Sequence, residues 1–119
     1  MRRSQALGKY GEDVAEQFLK QQGCEILDRN WRCDVGEIDI VARDGQALVI
    51  CEVKTRSSNQ LGSPAEAITV RKLRRLRHLA FRWLIAHEAH VPEVRIDVIC
   101  IVQPAWGAPQ IEHLRAVSA

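Results

Sequence analysis

Two runs of residues on either side of Asp44-Gly45 constrain the fold of this chain more than any other feature. The run from Gly36 to Arg43 alternates as a half-buried strand does, and the run from Ala47 to Arg56 is typical of another strand. Asp-Gly between two such runs is a strong signal for a β-hairpin. The sequence therefore predicts an antiparallel pair of strands at its centre.

The hairpin also decides which charged side chains lie together. Strand alternation places Glu37 and Asp39 on one face of the strand before the turn. It places Glu52 and Lys54 on one face of the strand after the turn. A two-residue turn at Asp44-Gly45 sets Glu37 opposite Glu52, whereas a four-residue turn sets Asp39 opposite Glu52. Either register gathers the carboxylates on one side of the sheet, and only a loop of odd length would separate them.

The other segments predict an α/β fold with a mixed sheet. In chain order, the predicted elements are a helix at Gln5 to Gln22, a strand at Cys24 to Trp31, the hairpin, a helix from Pro64 to before Pro92, and a strand at Val94 to Val102. A strand, a helix and a strand in succession predict a right-handed crossover that sets the two strands parallel. The order is therefore αβββαβ, with helices flanking the sheet. The tail from about residue 103 is expected to be irregular, with one short strand at Ile111 to Val117.

The second helix is predicted to begin with a capping box and to carry two stripes. Ser63 has the form of an N-cap, with Pro64 at the first helical position and Glu66 three residues after the cap. The apolar stripe consists of Ile68, Leu73, Leu76, Leu79, Ala80, Trp83 and Leu84. The basic stripe consists of Arg71, Arg74, Arg75, His78 and Arg82. No acidic residue interrupts the basic stripe, so it suits contact with phosphates, and a solvated helix face is the alternative.

Length and composition predict one soluble domain spanning residues 1–119. With 119 residues, of which 46% are hydrophobic and 27% charged, the chain is too short for two ordinary cores. Its apolar runs are far below the roughly 18 residues of a membrane span, and no apolar stretch follows the basic start as in an export signal. The cysteines at 24, 33, 51 and 100 form no Cys-x-x-Cys pair. We therefore expect reduced thiols, no zinc, and a cytoplasmic location.

Carboxylates gathered within apolar strands need a nearby cation. Two unit charges 4 Å apart repel by roughly 4 kcal/mol at an effective dielectric constant of 20. Lys54 supplies one positive charge, and hard oxygen ligands favour Mg²⁺ or Mn²⁺. A metal, a water and an ammonium are what hydrolysis of a phosphodiester requires. A solvated salt-bridge ladder is the alternative, but Leu48 and Ile50 share the face of Glu52 and favour a covered cleft.

The same segments resemble a known family. The matching positions are Gly8, Gly11, Glu12, Ala15, the run from Gly36 to Gly45, the run from Glu52 to Arg56, Gly62, Pro64, Glu66, Ala67, Lys72 and the run from Arg95 to Ile99. They look like the YraN-like family of small bacterial proteins, which is similar to the PD-(D/E)xK nuclease superfamily and, within it, to archaeal Holliday-junction resolvases. The resemblance implies a restriction-endonuclease-like fold and DNA endonuclease activity. One departure is Ile38, which stands where the superfamily has Pro.

The resemblance also implies a role for each residue of the site. Asp39 and Glu52 would hold Mg²⁺ or Mn²⁺ together with the backbone carbonyl of Val53. Lys54 would serve the attacking water. Glu12 matches an additional carboxylate beside the metal, although it could instead lie on a wet helix face. Gly8 and Gly11 favour the functional interpretation of this helix, because glycines within a helical pattern often mark a close backbone approach.

Two further glutamates are candidates for outer-shell contacts with the metal. Glu37 is one, and the alternative is that it pairs with an arginine such as Arg56. Glu66 is the other, but the capping box accounts for it fully and is the favoured interpretation. Arg56 is also expected to flank the cleft as a DNA-binding residue, together with Arg2, Arg3 and Lys9.

The expected partner is DNA, either duplex or branched, because no aromatic residue lies between Arg71 and Arg77 to stack on single-stranded bases. The tryptophans Trp31, Trp83 and Trp106 are accordingly expected to pack in the core or at its edge. Symmetric cleavage of a four-way junction would require a homodimer, because it needs two active sites. The competing interpretations are a nucleic-acid-binding module that does not cut, and an adaptor for another protein.

Overall fold

The structure, a computed structural model, describes residues 3–57 and 68–118, the side chains of Arg3 and Ser4 excepted. In chain order, its elements are α1 (Arg3–Gln21), β1 (Glu25–Cys33), β2 (Gly36–Asp44), β3 (Ala47–Ser57), α2 (Val70–Ala86), β4 (Glu93–Gln103) and β5 (Gln110–Leu114). The predicted order αβββαβ is confirmed, and β5 is the short strand predicted in the tail. Within the described ranges, neither helix is long and apolar enough to cross a membrane.

The five strands form one mixed sheet in the order β1-β2-β3-β4-β5. The pair β3 and β4 is parallel, and the other neighbouring strands are antiparallel. The parallel pair confirms the crossover that was predicted from a strand, a helix and a strand in succession. A mixed sheet of this kind, covered by two helices, is compatible with the predicted restriction-endonuclease-like fold. The arrangement puts β3, the strand that carries Glu52 and Lys54, at the centre of the sheet.

The helices cover opposite faces of the sheet. Ala15 and Leu19 of α1 pack in one apolar cluster with Cys51 of β3. Leu73 and Leu76 of α2 pack in the other cluster, on the face of Ile50 and Leu48. Each fully buried aliphatic side chain of this size contributes about 1.5 to 3 kcal/mol relative to exposure. The first half of β3 is therefore buried on both faces, and its second half emerges from the core.

Helix α2 begins later than the capping box predicts. Thr69 is its N-cap, with extended backbone, and the Thr69 side chain accepts the N–H of Lys72 at 3.1 Å. Ile68 precedes the helix, so the prediction of one continuous helix from Pro64 is wrong at this residue. The predicted cap, Ser63 to Glu66, lies outside the described residues. The sequence contains two possible N-caps, Ser63 and Thr69, and α2 begins after Thr69.

One glycine of α1 lies against β3. A Cβ atom added to Gly11 would fall 1.8 Å from Oγ1 of Thr55, whereas a Cβ atom at Gly8 would meet nothing within 4 Å. The expected close approach is therefore confirmed at Gly11 and wrong at Gly8. The contact fixes the turn of α1 that carries Glu12 against the strand that carries Lys54.

Replacing the two glycines separately should have opposite effects on stability. Gly11→Ala is expected to lower the free energy of unfolding by about 1 to 3 kcal/mol, because the new methyl group overlaps Thr55 and forces α1 away from β3. Gly8→Ala is the matched control and should raise the free energy of unfolding by up to about 1 kcal/mol, because alanine favours the helix. Urea unfolding of both variants measures the difference. Equal stabilisation by both substitutions would contradict the close contact.

The C-terminal segment is anchored to β4 by one buried carboxylate. Asp97 is completely buried and accepts hydrogen bonds from both Nε and Nη2 of Arg95, at 2.9 and 3.1 Å. Nε2 of His113 lies 2.7 Å from the same carboxylate, and the N–H of Ala116 donates to it at 3.0 Å. Burial alone would raise the pKa of Asp97, but the hydrogen bonds from Arg95, Ala116 and His113 outweigh it and hold the pKa below its usual value.

Candidate functional site

The register of the hairpin brings Asp39 to the position opposite Glu52. In the β2–β3 ladder, Asp44 pairs with Ala47 next to the turn, and the last pair is Ile40 with Cys51. If this register is continued by one residue, Asp39 lies opposite Glu52. This is the second of the two registers predicted from the sequence. The loop itself has two residues, Gly45-Gln46, so the predicted turn was one residue early. Gly45, with φ of 61°, takes the first loop position, where a type II′ turn requires glycine.

The regular pattern of β2 is interrupted at Asp39. Backbone pairing with β3 ends at Ile40, and beyond it the Asp39 carboxylate accepts the N–H of Val53 at 2.8 Å. Ile38 and Ile40 are two residues apart and should share a face, yet they pack in the clusters on opposite sides of the sheet. On the other neighbour, β1, Asn30 adopts a φ of 52° and is skipped by the ladder. The interruption re-aims the Asp39 side chain, as irregularities in strands commonly do next to functional sites.

Asp39 and Glu52 line a cavity of about 300 Å³ that lies between the sheet and α2. The other lining residues are Gly36, Glu37, Lys72, Arg75, Leu76 and Leu79. The wall formed by the sheet is therefore acidic, and the wall formed by α2 is basic and apolar. A phosphate group that entered this cavity would meet cationic side chains on one side and the carboxylates of Asp39 and Glu52 on the other.

Glu52 is held by two lysines. Nζ of Lys72 lies 2.9 Å from Oε1 of Glu52, and Nζ of Lys54 lies 3.8 Å from the same oxygen. The Glu52 side chain is only 14% exposed, so solvent screens these contacts weakly. The hydrogen bond with Lys72, burial, and the charge of Lys72 together lower the pKa of Lys54. Sequence reasoning predicted Lys54 at this site and assigned no role to Lys72.

A signal for Lys72 was present in the sequence. Lys72, Leu76 and Leu79 are spaced as i, i+4 and i+7, so they share one face of α2, which points toward the sheet. Neither the apolar stripe nor the basic stripe predicted for this helix includes Lys72. A lysine within an apolar stripe indicates a buried carboxylate partner, because a lysine in that position needs one.

Asp39 carries an unusually high pKa. Burial first, then the charge of Glu52, and to a smaller extent the charges of Glu12 and Glu37, together raise the pKa of Asp39 to about 7, although the hydrogen bond from the Val53 N–H lowers it. The carboxyl group is therefore close to half protonated at neutral pH when no additional cation is bound. A divalent cation at this position would favour the ionised form.

Glu12 lies near the pair without lining the cavity. Oε1 of Glu12 accepts a hydrogen bond from Nη2 of Arg29 at 3.3 Å. Arg29 also forms ion pairs with Asp13 at 2.8 Å and with Glu16 at 3.5 Å. The pairing of Glu16 with Lys20, which was the surface alternative for this helix face, is present at 3.2 Å. The charge of Glu12 therefore acts on Asp39 at a distance, while Arg29 of β1 holds the Glu12 carboxylate.

The outer-shell candidates have different outcomes. Glu37 lines the cavity and accepts Nε of Arg32 at 2.6 Å. The alternative that Glu37 pairs with an arginine is therefore confirmed, and the arginine is Arg32, the residue opposite Glu37 in the antiparallel ladder. Glu66 lies outside the described residues.

The basic stripe divides into two parts. Arg71, Arg74 and Arg75 are exposed on α2, and Arg75 also lines the cavity with Asp39. Arg82 instead donates from Nη2 to Asp34 at 2.6 Å. The sequence showed no acidic residue within the helix segment, but the loop between β1 and β2 supplies one. The exposed part of the stripe therefore lies at the N-terminal half of α2, next to the cavity.

The tryptophans were predicted to pack in the core or at its edge. Trp83 does so, since it is 5% exposed and donates Nε1 to Asp28 at 3.1 Å. Trp31 is half-buried and packs against the same cluster. Trp106 is 89% exposed in the loop between β4 and β5, so the prediction is wrong for this residue. All four cysteines are free thiols, as expected.

The donors in the cavity fit Mg²⁺ or Mn²⁺. Asp39 and Glu52 offer carboxylate oxygens, and Mg²⁺ is commonly held by one or two carboxylates while water and substrate phosphates complete its coordination. Among residues 3–57 and 68–118, no group of three or more His, Cys, Asp or Glu side chains converges as a closed metal cage would require. The ammonium group of Lys72 beside Glu52 shows that this part of the cavity already attracts a cation.

Comparison with known proteins identifies the family. The profile of the family described as "Uncharacterised protein family UPF0102" matches residues 11–101. A UPF0102 protein of Beutenbergia cavernae is 56% identical over 117 residues, covering 98% of this chain and 99% of that protein. UPF0102 proteins of Frankia casuarinae and of an Arthrobacter species are 52% and 51% identical, over 97% and 98% of this chain and 98% and 99% of their own lengths. The chain therefore belongs to the UPF0102 family, which is the YraN-like family that its motifs resemble.

Proposed function

We propose that this protein is a divalent-metal-dependent DNA endonuclease. The observation that carries the proposal is the placement of Asp39 opposite Glu52, at the point where the regular pairing of β2 and β3 ends. Both carboxylates line one cavity, and cationic side chains form its opposite wall. The resemblance of this segment to the PD-(D/E)xK nucleases supports the same assignment.

Each residue of the pair has a defined task. Asp39 and Glu52 bind the metal, with the backbone carbonyl of Val53 as the further oxygen donor that the resemblance implies. The Val53 N–H fixes the Asp39 carboxylate at 2.8 Å, so that it does not have to be ordered when the metal binds. When bound, Mg²⁺ or Mn²⁺ supplies a Lewis acid for a phosphate oxygen and lowers the pKa of its water.

The cationic groups act on the water and on the phosphate. Lys54 shares the face of Glu52 and orients the attacking water by a hydrogen bond. Its lowered pKa means that it gives up a proton more readily than an exposed lysine. Arg75, on the α2 wall, stabilises the negative charge on the phosphate. Glu12 keeps its carboxylate within electrostatic reach of Asp39 and adds to the attraction for a cation.

The substrate is duplex or branched DNA that lies along the N-terminal half of α2. Arg71 and Arg74 are exposed there and contact phosphates beside the cavity, and Arg56 extends the same surface from β3. Arg82 contributes only if it exchanges Asp34 for a phosphate. A junction cut on both sides of its centre needs two copies of the chain.

Cleavage assays test the proposal. The purified protein is incubated with supercoiled plasmid, linear duplex and a four-way junction, in Mg²⁺, Mn²⁺, Ca²⁺ or a chelator. We expect strand cleavage in Mg²⁺ or Mn²⁺ and none in the chelator, because Asp39 and Glu52 activate water only through a bound metal. Ca²⁺ serves as the control for binding without efficient cutting. Failure to cut any of these substrates in either metal would contradict the proposal.

A second function is favoured by the contact between Glu52 and Lys72. Because an ammonium already neutralises Glu52, the same cavity could serve a nucleic-acid-binding module that does not cut. Binding that weakens steeply with salt, with a logarithmic slope of about −0.9 for each neutralised phosphate, together with absence of cleavage, would identify this module. Binding to a protein partner with no affinity for DNA would favour the adaptor instead.

A further inference from the structure

The closest cation to Glu52 comes from helix α2 and not from its own strand. Nζ of Lys72 is 2.9 Å from Oε1 of Glu52, whereas Nζ of Lys54 is 3.8 Å away. The side chains of Lys72 and Glu52 are 20% and 14% exposed, so their contact is partly shielded from water. Among the described residues, the Lys72 ammonium is therefore the cation nearest to Glu52.

A divalent cation and the Lys72 ammonium compete for the same carboxylate. Mg²⁺ binds carboxylate oxygen at about 2.0 to 2.1 Å, and an ammonium hydrogen-bonded to the same oxygen would then lie close to a double positive charge. At an effective dielectric constant of 20, charges a few ångströms apart repel by several kcal/mol. This repulsion favours movement of the Lys72 ammonium away from Oε1 of Glu52 when a metal is bound to that oxygen.

The surroundings of Lys72 allow its side chain to move while its backbone stays in place. The N–H of Lys72 is held by the N-cap side chain of Thr69 at 3.1 Å, so the first turn of α2 is anchored. The four-carbon stem of a lysine rotates freely and carries three donors. The cavity that Lys72 lines is also where the phosphate of a substrate would enter.

We propose that Lys72 is an exchangeable counter-ion: it holds the Glu52 carboxylate in place until the metal binds, and it then turns to a phosphate oxygen of the DNA. This role rests on the proposed function, because it needs both a metal and a phosphate in the cavity. Lys72 is a positioning residue for Glu52 in the metal-free state. In the complex with DNA, its ammonium group contacts a phosphate oxygen of the substrate and no longer contacts the Glu52 carboxylate.

The proposal predicts opposite effects of one substitution on metal affinity and on cleavage. Lys72→Met keeps the unbranched shape of the side chain, one atom shorter, and removes its charge, so Mn²⁺ should bind about fivefold tighter in the absence of DNA, because the competing ammonium is gone. Single-turnover cleavage at saturating Mn²⁺ should nevertheless fall about tenfold, because the phosphate loses a cation. A purely structural role for Lys72 would weaken both. Isothermal titration calorimetry with MnCl₂ alone measures the first effect.

Two further variants serve as controls. Arg77→Met removes a charge from an exposed position of the same helix and should leave Mn²⁺ affinity unchanged within twofold. Lys72→Arg restores the charge and should return Mn²⁺ affinity toward the wild-type value. Circular dichroism verifies that each variant is folded, and Lys72→Gln replaces Lys72→Met in the comparison if the methionine variant is not.

The outcomes separate the two proposals. Tighter Mn²⁺ binding by Lys72→Met than by wild type and Arg77→Met supports the exchange, most strongly if wild type binds hardly at all. Equal or weaker binding by Lys72→Met, with wild type binding Mn²⁺, overturns the exchange and leaves the metal site standing. Absence of Mn²⁺ binding by every variant overturns both the exchange and the proposed metal-dependent function.

Discussion

Glu52→Gln is expected to reduce metal-dependent DNA cleavage by at least about a hundredfold. The substitution keeps the size of the side chain but removes one of the three carboxylates that line the cavity among the described residues, the other two being Asp39 and Glu37. Glu37 is already paired with Arg32 at 2.6 Å. Asp39 would therefore have to hold the metal with no opposing carboxylate. Single-turnover cleavage of plasmid and junction DNA in Mn²⁺ measures the loss.

Binding should change in the opposite direction from cleavage. Glu52→Gln removes a negative charge from beside Lys72 and Lys54, which then remain free to contact phosphates, so DNA affinity should be equal to or higher than that of wild type. The matched control is Glu25→Gln, because Glu25 of the edge strand β1 forms an exposed ion pair with Arg43 of β2 and does not line the cavity. Cleavage by Glu52→Gln within tenfold of wild type, with Glu25→Gln also active, would refute the assigned role.

The centre of the site was predictable because its determinants are local. Strand alternation and the Asp-Gly signal together restricted the hairpin to registers that gather Asp39, Glu37 and Glu52 on one side. The choice between those registers depended on which loop positions accept positive φ, and Gly45 decided it. A shift of the turn by one residue therefore left the predicted neighbours of Glu52 intact.

The surroundings of the site were less predictable because they depend on contacts between distant segments. The pairing of Glu12 with Arg29 joins α1 to β1, and the pairing of Arg82 with Asp34 joins α2 to the loop after β1. Neither follows from spacing within one element. Likewise, the interruption at Asp39 appears only once both neighbouring strands are in place, since Asn30 is skipped on one side and Val53 binds a side chain on the other.

The largest effect on stability is expected from a substitution of Asp97. This residue does not line the cavity, but it is completely buried in the fold. Asp97→Asn keeps the shape of the side chain and removes the charge that Arg95 and His113 face. Among the described residues, the partly buried Arg95 guanidinium then keeps Asp44, at 3.1 Å, as its one carboxylate partner. Loss of one partner of a buried ion pair costs about 3 kcal/mol or more. For a domain of this size, the melting temperature should fall by about 10 °C.

The pH dependence of the same variant gives a second test. Because the pKa of Asp97 is lower in the folded protein than its usual value of 3.8, its ionised form stabilises the fold fully above that value. The contribution is lost as the pH falls through the folded pKa. The difference in unfolding free energy between wild type and Asp97→Asn should therefore be constant from neutral pH down to about pH 5 and shrink below it.

Urea unfolding across this range measures the difference, with Glu25→Gln as the surface control. A difference that grew toward acidic pH would show that Asp97 is protonated in the folded protein, and that its hydrogen bonds with Arg95 do not anchor the C-terminal segment in the way described.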